Sequence, residues 1–417
     1  MSEDKPLICL ITPGHVASTP RLVKNADALA EAGYRVHVIA GRHYPAADSL
    51  DAEIFAQARW RHTLVDYCGG PGVLARKFLR RLARRLVVRP PFATVPVAAR
   101  AHNAEAPRFA ALAAAVPAEL YLGHGLAGLP AAAAAARTRG RPFGFDAEDY
   151  HDEETEEARS HPAERAARRV LQATLLPECP QFTTAAPLIS KRYEDVYQVA
   201  AITLLNVFPL AQAPAEPAAA VPIGRERPAV FYWFSQTIGA GRGLEKVITV
   251  LGQMRTPAEL HLRGFIAPGF AEQLGRLASA AGLPRPIRFL APGAPAEMVR
   301  LAAAADLGLS TEESHPLNRD LCLTNKIFAY LLAGIPQLLS TTAAQSALAP
   351  ELGPAVLLAN LGDPSETARR LDAFFADGNR VTHSRQAAWE LGRRRFNWDL
   401  EKEVLLNSVG ALLAMTR

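Results

Sequence analysis

A glycine-rich stretch with one cation, FSQTIGAGRGLE at residues 234–245, follows the apolar run PAVFYW and precedes the helical pattern KVITVLGQM. Glycines such as Gly239 let backbone N–H groups approach an anion closely, and a helix N-terminus adds a favourable dipole. Arg242 could neutralise a diphosphate through paired hydrogen bonds. Alone, the loop fits an ordinary turn with a solvated arginine equally well. The GxGxxG and GxxxxGK[ST] fingerprints of dehydrogenases and P-loop proteins are absent.

A second polar stretch, residues 310–340, follows the apolar run DLGLS. Glu312 and Glu313 come directly after it, where carboxylates could accept hydrogen bonds from sugar hydroxyls. Thr324 or Asn325 then begins a predicted helix that Gly334 ends. The amides at that helix start, together with Lys326, would form a second anion pocket. Each residue taken singly also fits a bland role as a cap or surface side chain, but the group together favours a binding site.

Acidic residues cluster in the first half of the chain, in FDAEDYH at residues 145–151. Asp146, Glu148 and Asp149 follow a predicted strand, with His151 close behind. Clustered carboxylates in such a position could bind hydroxyls or raise one another's pKa for proton transfer. Two carboxylates can also indicate a glycosidase, but nothing else in the sequence supports that activity.

Two further turns place polar residues after predicted strands. LGHGLAGLP puts His124 between glycines, and ITPGHVASTPRLVKN supplies Gly14, His15 and Arg21. These loops could approach a ligand. The alternatives are a structural histidine and an arginine that lies on an exposed helix face.

The segment RKFLRRLARRLVVRPP, residues 76–91, mixes apolar residues with a block of arginines and contains no acidic residue. This pattern is typical of a helix that lies on an anionic lipid surface. Nucleic-acid binding is disfavoured because aromatic stacking residues are few. A basic helix packed on its own domain is the alternative.

These residues must be positioned by an α/β frame. Apolar runs alternate with helical patterns along the whole chain, which predicts parallel strands covered by helices. The proline- and alanine-rich segment 209–228 reads as a linker between two such sheets. We therefore predict two doubly wound, Rossmann-like domains, residues 1–208 and 229–395, facing a cleft.

Composition narrows the class of protein further. Hydrophobic residues make up 49% and charged residues 21% of 417 residues, which is typical of a globular chain, and the net charge is +5. The four cysteines are scattered without CxxC spacing, so we expect reduced thiols and no metal site. The acidic start MSEDKPLICLIT does not fit a secretory signal, and no apolar run is long enough to span a bilayer. We expect a cytoplasmic protein, either free or at the inner face of the plasma membrane.

Together these motifs resemble glycosyltransferases of the GT-B fold, specifically the retaining enzymes of family 4, over nearly the whole chain. TNKIFAYLLAGIP is similar to the family's S-P-N-K-x-F-E-Y-x-x-x-G-x-P pattern, and FDAEDYH with SQTIGAGRGLE looks like a bacterial subgroup of surface-polysaccharide assembly. The resemblance implies a nucleotide-sugar donor held mainly by the C-terminal domain. It also implies that the final segment, 396–417, is a helix that crosses back to the first domain. It places the following residues in the donor site: Gly14, Gly239, Arg242, Lys246, Glu312, Asn325 and Lys326. It offers the following candidates for the chemistry: His124, Glu148, Asp149 and Glu313.

The chain departs from the family at one informative position. Many members carry two glutamates, E-x7-E, and the second binds the nucleotide ribose; Ala329 stands at the matching position here. Members of the family usually carry an arginine followed a few residues later by a lysine in the donor loop. Here RGLE aligns equally well with the arginine and with the lysine, so the role of Lys246 stays open. An inactive GT-B protein that binds glycans or partner proteins is therefore an alternative, and a sugar-nucleotide epimerase of the same fold is another.

The sequence thus predicts a metal-independent transferase that moves a sugar from a nucleotide diphosphate, UDP- or GDP-linked, to a carbohydrate or lipid-linked acceptor. The donor is a substrate, and we expect no other cofactor. Neither the sugar nor the acceptor can be read from the residues.

Overall fold

The computed structural model describes residues 5–416 except 68, 70, 71, 156–160 and 284. The chain forms two compact units. The described residues of the first unit lie within 1–205, 316–318 and 402–417, and those of the second lie within 206–315 and 319–401. Cys68, one of the four predicted free thiols, lies outside the described residues, and the other three cysteines are free.

The first unit is built on a seven-stranded parallel sheet in the order β3-β2-β1-β4-β5-β6-β7. The central strands are almost wholly buried, as their continuous apolar sequences require. The strands are β1 (Leu7–Thr12), β2 (Arg35–Arg42), β3 (Arg61–Asp66), β4 (Leu120–His124), β5 (Phe143–Glu148), β6 (Gln181–Thr184) and β7 (Ile202–Thr203).

Eight described helices accompany this sheet, among residues 5–205. They are α1 (Pro20–Glu31), α2 (Asp48–Gln57), α3 (Val73–Leu86), α4 (Val95–His102), α5 (Ala106–Ala115), α6 (Leu129–Arg139), α7 (Pro162–Leu175) and α8 (Pro187–Tyr197).

The second unit is built on a six-stranded parallel sheet in the order β10-β9-β8-β11-β12-β13. Its core packs Phe231, Trp233, Leu307 and Leu309 of the two central strands against the neighbouring helices. The strands are β8 (Ala229–Ile238), β9 (Ala258–Ile266), β10 (Arg288–Leu290), β11 (Leu307–Ser310), β12 (Gln337–Ser340) and β13 (Val356–Ala359).

The remaining described helices follow the second half of the chain. They are α9 (Leu244–Gln253), α10 (Phe270–Ala280), α11 (Met298–Ala302), α12 (Leu317–Leu321), α13 (Asn325–Ala333), α14 (Ala343–Leu352), α15 (Pro364–Phe375), α16 (Gly378–Arg394) and α17 (Trp398–Met415). From Lys402 onward, α17 belongs to the first unit.

Two parallel α/β sheets were predicted, and the structure confirms them. Both follow the 3-2-1-4-5-6 order of Rossmann-like, doubly wound sheets, in which ligands bind beyond the carboxyl ends of the strands. The predicted linker contains a single 3-10 turn, Leu210–Gln212, and neither α-helix nor strand. It is not loose, since Ala220 and Ile223 pack against the core of the second unit.

Candidate functional site

The predicted donor residues of the second unit lie at the carboxyl ends of two neighbouring strands. β8 and β11 pair in parallel, with Leu307 opposite Phe231 and Gly308 opposite Tyr232. The loops that leave these two strands carry Arg242 and Glu312. Because the carboxyl ends of parallel strands share one edge of the sheet, the fold brings the two predicted motifs together.

The glycine turn between β8 and α9 is shorter than the sequence predicted. β8 continues through the predicted loop to Ile238, with an irregular register between Phe234 and Thr237 opposite β9. The extended partner β9, which reaches Ile266, allows this continuation. The turn proper is therefore Gly239–Gly243.

This turn is fixed in place by specific contacts. Gly241 and Gly243 have φ angles of +74° and +70°, and a Cβ on Gly243 would collide with the carbonyl oxygen of Thr311. The Thr311 hydroxyl donates to the Arg242 carbonyl at 2.9 Å, and the Arg319 guanidinium donates to the Gly241 carbonyl at 2.6 Å. Thr311, directly after β11, and Arg319, on α12, thus hold the turn after β8 and fix the position of the Arg242 backbone.

Glu312 joins the two predicted cations. Its carboxylate lies 3.0 Å from Arg242 Nη1 and 2.8 Å from Lys326 Nζ. The Glu312 side chain is 0% exposed and Lys326 is 5% exposed, whereas Arg242 keeps 33% of its side chain exposed. Burial favours the neutral Glu312 carboxyl, but the charges of Lys326 and Arg242 outweigh it and lower the pKa of Glu312. The sequence had assigned sugar hydroxyls to Glu312; the structure shows its two oxygens paired with cations.

Lys326 lies in the first turn of α13, as the sequence predicted. Asn325 is the first helical residue and Thr324 is the cap, but the Thr324 side chain makes no capping bond and contacts the Ser310 hydroxyl at 3.0 Å instead. Lys326 Nζ lies 5.3 Å from the ring centre of Trp233, a cation–π geometry. The helix N-terminus therefore presents its dipole beside two cations.

A second ion pair lies on the more exposed side of the group formed by Arg242, Glu312 and Lys326. Lys246 Nζ is 2.8 Å from Glu313, and the two side chains are 51% and 36% exposed. Arg319, which the sequence analysis missed, lies near enough to Arg242 that burial and the charge of Arg242 lower its pKa. Its only signal in the sequence was a cation within the polar stretch after β11. We call this group the cationic corner; it consists of the cations Arg242, Lys246, Arg319 and Lys326 and the carboxylates Glu312 and Glu313. Because the cations outnumber the carboxylates, the cationic corner favours an anion.

The first unit has its own polar cluster around Asp146. Arg21 donates to both Asp146 oxygens, at 2.6 and 2.9 Å, and Thr183 donates at 2.7 Å. His124 Nδ1 lies 3.2 Å from the same carboxylate, as the β4–β5 register requires. Burial would raise the pKa of Asp146, but the charge of Arg21 and the contact with His124 lower it strongly. Arg21 is 1% exposed and does not lie on an exposed helix face.

His124 is held at one ring nitrogen and open at the other. Its Nδ1 faces the Asp146 carboxylate, so Nδ1 is assigned as the donor and Nε2 as the acceptor. Nε2 is buried and has no hydrogen-bond partner among the described residues. A buried acceptor without a partner is costly, and a ligand or water that donates a hydrogen bond to Nε2 would remove that cost.

Glu148 and Asp149 follow β5. Glu148 has a φ of +61°, a conformation that costs free energy in a residue with a Cβ and is enriched at functional sites. Burial and the nearby charge of Asp149 raise the pKa of Glu148 to about 7. Asp149 accepts a hydrogen bond from Asn318 at 2.8 Å. Near neutral pH, the Glu148 carboxyl can therefore either release or accept a proton.

His15 has an internal structural role. Its Nδ1 lies 2.6 Å from Asp51, and its Nε2 accepts hydrogen bonds from the amides of His43 and Tyr44 at 3.0 and 2.9 Å. The carbonyl of the neighbouring Gly14 accepts a hydrogen bond from the Gly41 amide, and the Gly14 amide donates one to the Thr12 hydroxyl. The donor contact predicted for Gly14 stays a prediction.

Among the described residues, no group of three or more histidine, cysteine, aspartate or glutamate residues could hold a metal ion. In the same part of the chain, no helix is both long and apolar enough to cross a membrane.

Comparisons with known proteins place the fold. No protein-family model and no curated protein sequence matches the chain. Solved structures match along their full length: Anabaena HepE in complex with UDP and glucose has 14% identity and a TM-score of 0.69, covering 97% of this chain and 100% of HepE. Sucrose-phosphate synthase from Thermosynechococcus elongatus has 14% identity and a TM-score of 0.70, covering 99% and 100%. The fold is GT-B. A UDP-forming trehalose-phosphate synthase from Burkholderia xenovorans, at 13% identity and a TM-score of 0.61, shares this GT-B fold over 98% of this chain and 99% of its own.

Proposed function

We propose that the chain is a retaining glycosyltransferase of family 4, which moves a sugar from a nucleotide diphosphate sugar to a carbohydrate or lipid-linked acceptor. The observation that carries the proposal is the cationic corner of the second unit. There, Glu312 holds Arg242 and Lys326 beside the start of α13, at the carboxyl ends of β8 and β11.

This corner suits a leaving nucleoside diphosphate. Negative charge develops on the β-phosphate as the bond to the sugar breaks, and fixed cations with a helix dipole stabilise such charge without reorganising. Arg242 has the exposure to reach a ligand, while buried Lys326 supplies a fixed charge. Solved complexes of a GT-B neighbour, HepE, contain UDP and UDP-glucose, which supports a nucleotide-sugar donor.

We propose that the transfer needs no metal ion. The four cations of the corner can neutralise the diphosphate by themselves, so EDTA should leave the rate unchanged. Loss of activity in EDTA, restored by a divalent cation, would contradict this part of the proposal.

The roles that the resemblance implies for His124, Glu148, Asp149 and Glu313 remain part of the proposal. A buried histidine with an open Nε2 suits a contact with the transferred sugar, and a carboxyl that titrates near neutral pH suits a proton acceptor. Assembly of bacterial surface polysaccharide is the proposed process.

One observation favours a second candidate, a GT-B protein that binds glycans without turnover. Ala329 is fully buried on α13, so no carboxylate is available there for the nucleotide ribose. A thermal-shift screen with UDP- and GDP-linked sugars and with free glycans, all at millimolar concentration, separates the two, because a bound ligand raises the melting temperature. A shift with one donor, followed by transfer of its sugar, supports the enzyme. A shift with glycans alone supports the binding protein.

A further inference from the structure

Three of the five arginines of helix α3 face its own unit. Arg76 Nε lies 2.7 Å from Glu105, Arg80 donates to the Ala101 carbonyl at 3.2 Å, and Arg84 Nη1 lies 3.5 Å from Glu164. These three arginines are four residues apart, so they form one stripe along the helix. A surface helix ordinarily packs its large apolar side chains inwards, whereas the side of α3 that faces its own unit carries these three arginines beside the small, buried Ala83.

Most of the large apolar side chains of α3 are exposed instead, although Leu86 is half-buried. Leu74, Phe78 and Leu82 form a second stripe at four-residue spacing, and they are 82%, 64% and 42% exposed. Val88 and Phe92, which follow the helix, are 47% and 46% exposed and extend the same kind of surface. We call Leu74, Phe78 and Leu82 the apolar stripe. Exposed apolar residues that are contiguous indicate a surface that a partner covers.

The charges beside the apolar stripe all have one sign. Lys77, Arg81 and Arg85 are exposed, and on the helix they lie next to the apolar stripe along one flank. We call these three residues the cationic stripe. No acidic residue occurs in the sequence between Asp66 and Glu105. A partner that covers this face must therefore offer an apolar region to the apolar stripe and anionic groups to the neighbouring cations.

We propose that α3 docks in the plane of an anionic lipid membrane, with the apolar stripe inserted and the cationic stripe on the headgroups. Such a helix gains affinity from its buried apolar area and from the negative surface potential together. The contacts of the inward-facing arginines fix the orientation of the helix, so the apolar stripe is already exposed in the protein without a membrane. The proposal goes beyond the proposed function and does not depend on it.

Vesicle flotation of the full chain tests the proposal without any substrate. We expect binding to phosphatidylcholine vesicles that contain 30% phosphatidylglycerol, and at least tenfold weaker binding to pure phosphatidylcholine. Raising the salt from 0.1 to 0.5 M should weaken the binding, because salt screens the charges. Equal binding to both vesicle types, or to neither, would overturn the proposal.

Two triple variants separate the stripes. K77Q/R81Q/R85Q should lower the partition onto anionic vesicles on the order of 100-fold, since each cation near the surface contributes about fivefold. R276Q/R300Q/R369Q removes the same charge from exposed positions of other helices, and we expect less than a threefold change.

L74S/F78S/L82S tests insertion. It should abolish flotation at low protein concentration, while V221S/L277S/M415S, which changes exposed apolar residues elsewhere, should retain it. Circular dichroism checks that each variant is folded. If the apolar-stripe variant floats like the wild type, or if it only converts a dimer to a monomer in light scattering, the surface is not a membrane contact.

Discussion

Glu312 lies between two cations that come from separate segments, the turn after β8 and the first turn of α13. Its carboxylate is fully buried, and its backbone carbonyl accepts a hydrogen bond from the Ser340 hydroxyl at 2.6 Å. Glu312 is therefore a positioning residue: it holds Arg242 and Lys326 close enough for both to meet one anion. A buried ion group is costly to break by removing one member, because the remaining charge stays unpaired.

Glu312→Gln should lower the free energy of unfolding by about 3 kcal/mol, because it leaves buried Lys326 without its counter-charge. Urea unfolding measures the change. Glu313→Gln is the matched control, since the Glu313–Lys246 pair is largely exposed, and it should cost less than about 0.5 kcal/mol. Equal small effects of the two variants would show that Glu312 does not hold the cations.

Glu148 predicts a pH dependence of stability. Its pKa is raised from 4.5 to about 7, so between these values the folded state binds more protons than the unfolded chain. The free energy of unfolding should therefore fall as pH rises through this window, by at most about 3 kcal/mol. Glu148→Gln should remove this decline, and Asp149→Asn should move it to lower pH, because the charge of Asp149 helps to raise the pKa.

Glu178→Gln, at an exposed pair with Arg137, is the control for the pH series and should leave the decline unchanged. Chemical unfolding at half-unit steps between pH 4.5 and 8 provides the curves. Parallel curves for the wild type and Glu148→Gln would contradict the assignment of the proton to Glu148.

At the scale of elements, the turn between β8 and α9 carries Arg242, and two of its glycines, Gly241 and Gly243, have positive φ angles. Gly243 has a φ of +70° and lies against the Thr311 carbonyl. Gly243→Ala should therefore lower the free energy of unfolding by at least about 2 kcal/mol. Gly239→Ala is the matched change, because a Cβ there meets nothing closer than 3.8 Å, and it should stay within about 0.5 kcal/mol. Thermal or urea unfolding that ranks the two in the opposite order would contradict this account of the turn.

The sequence predicted most of the strands because they are continuous apolar runs. It missed β3, whose only buried residue is Val65 and whose polar residues resemble a loop. The apolar run AITLLNV forms a strand only at Ile202–Thr203, which pair with β6. Edge strands pack against one neighbour, so less of their sequence must be apolar.

At the candidate site, the sequence predicted individual binding residues but not the contacts between them. Arg242 and Lys326 were predicted because each follows a strand or begins a helix. Their common partner Glu312 could not be deduced, since a contact across 70 residues depends on the order of the strands. The burial of Arg21 against Asp146, across 125 residues, was missed for the same reason.

At the scale of the whole molecule, we propose that the donor binds to the second unit. Hydrogen exchange with a saturating nucleotide diphosphate should show protection in residues 239–246 and 310–326, because these backbone amides surround the cationic corner. Mass spectrometry of peptic peptides measures it. Protection confined to residues 5–205 would move the donor to the other unit.

The central claim is that Arg242 and its neighbours bind a diphosphate, and isothermal titration with UDP, GDP, uridine and guanosine tests it most directly. We predict that one diphosphate binds the wild type at least tenfold more tightly than its nucleoside. Arg242→Ala should lose about 10- to 100-fold in affinity, the worth of a charge-assisted hydrogen bond, whereas Arg276→Ala on α10 should lose nothing. If neither diphosphate binds, or if Arg242→Ala binds it as tightly as the wild type, the claim is wrong.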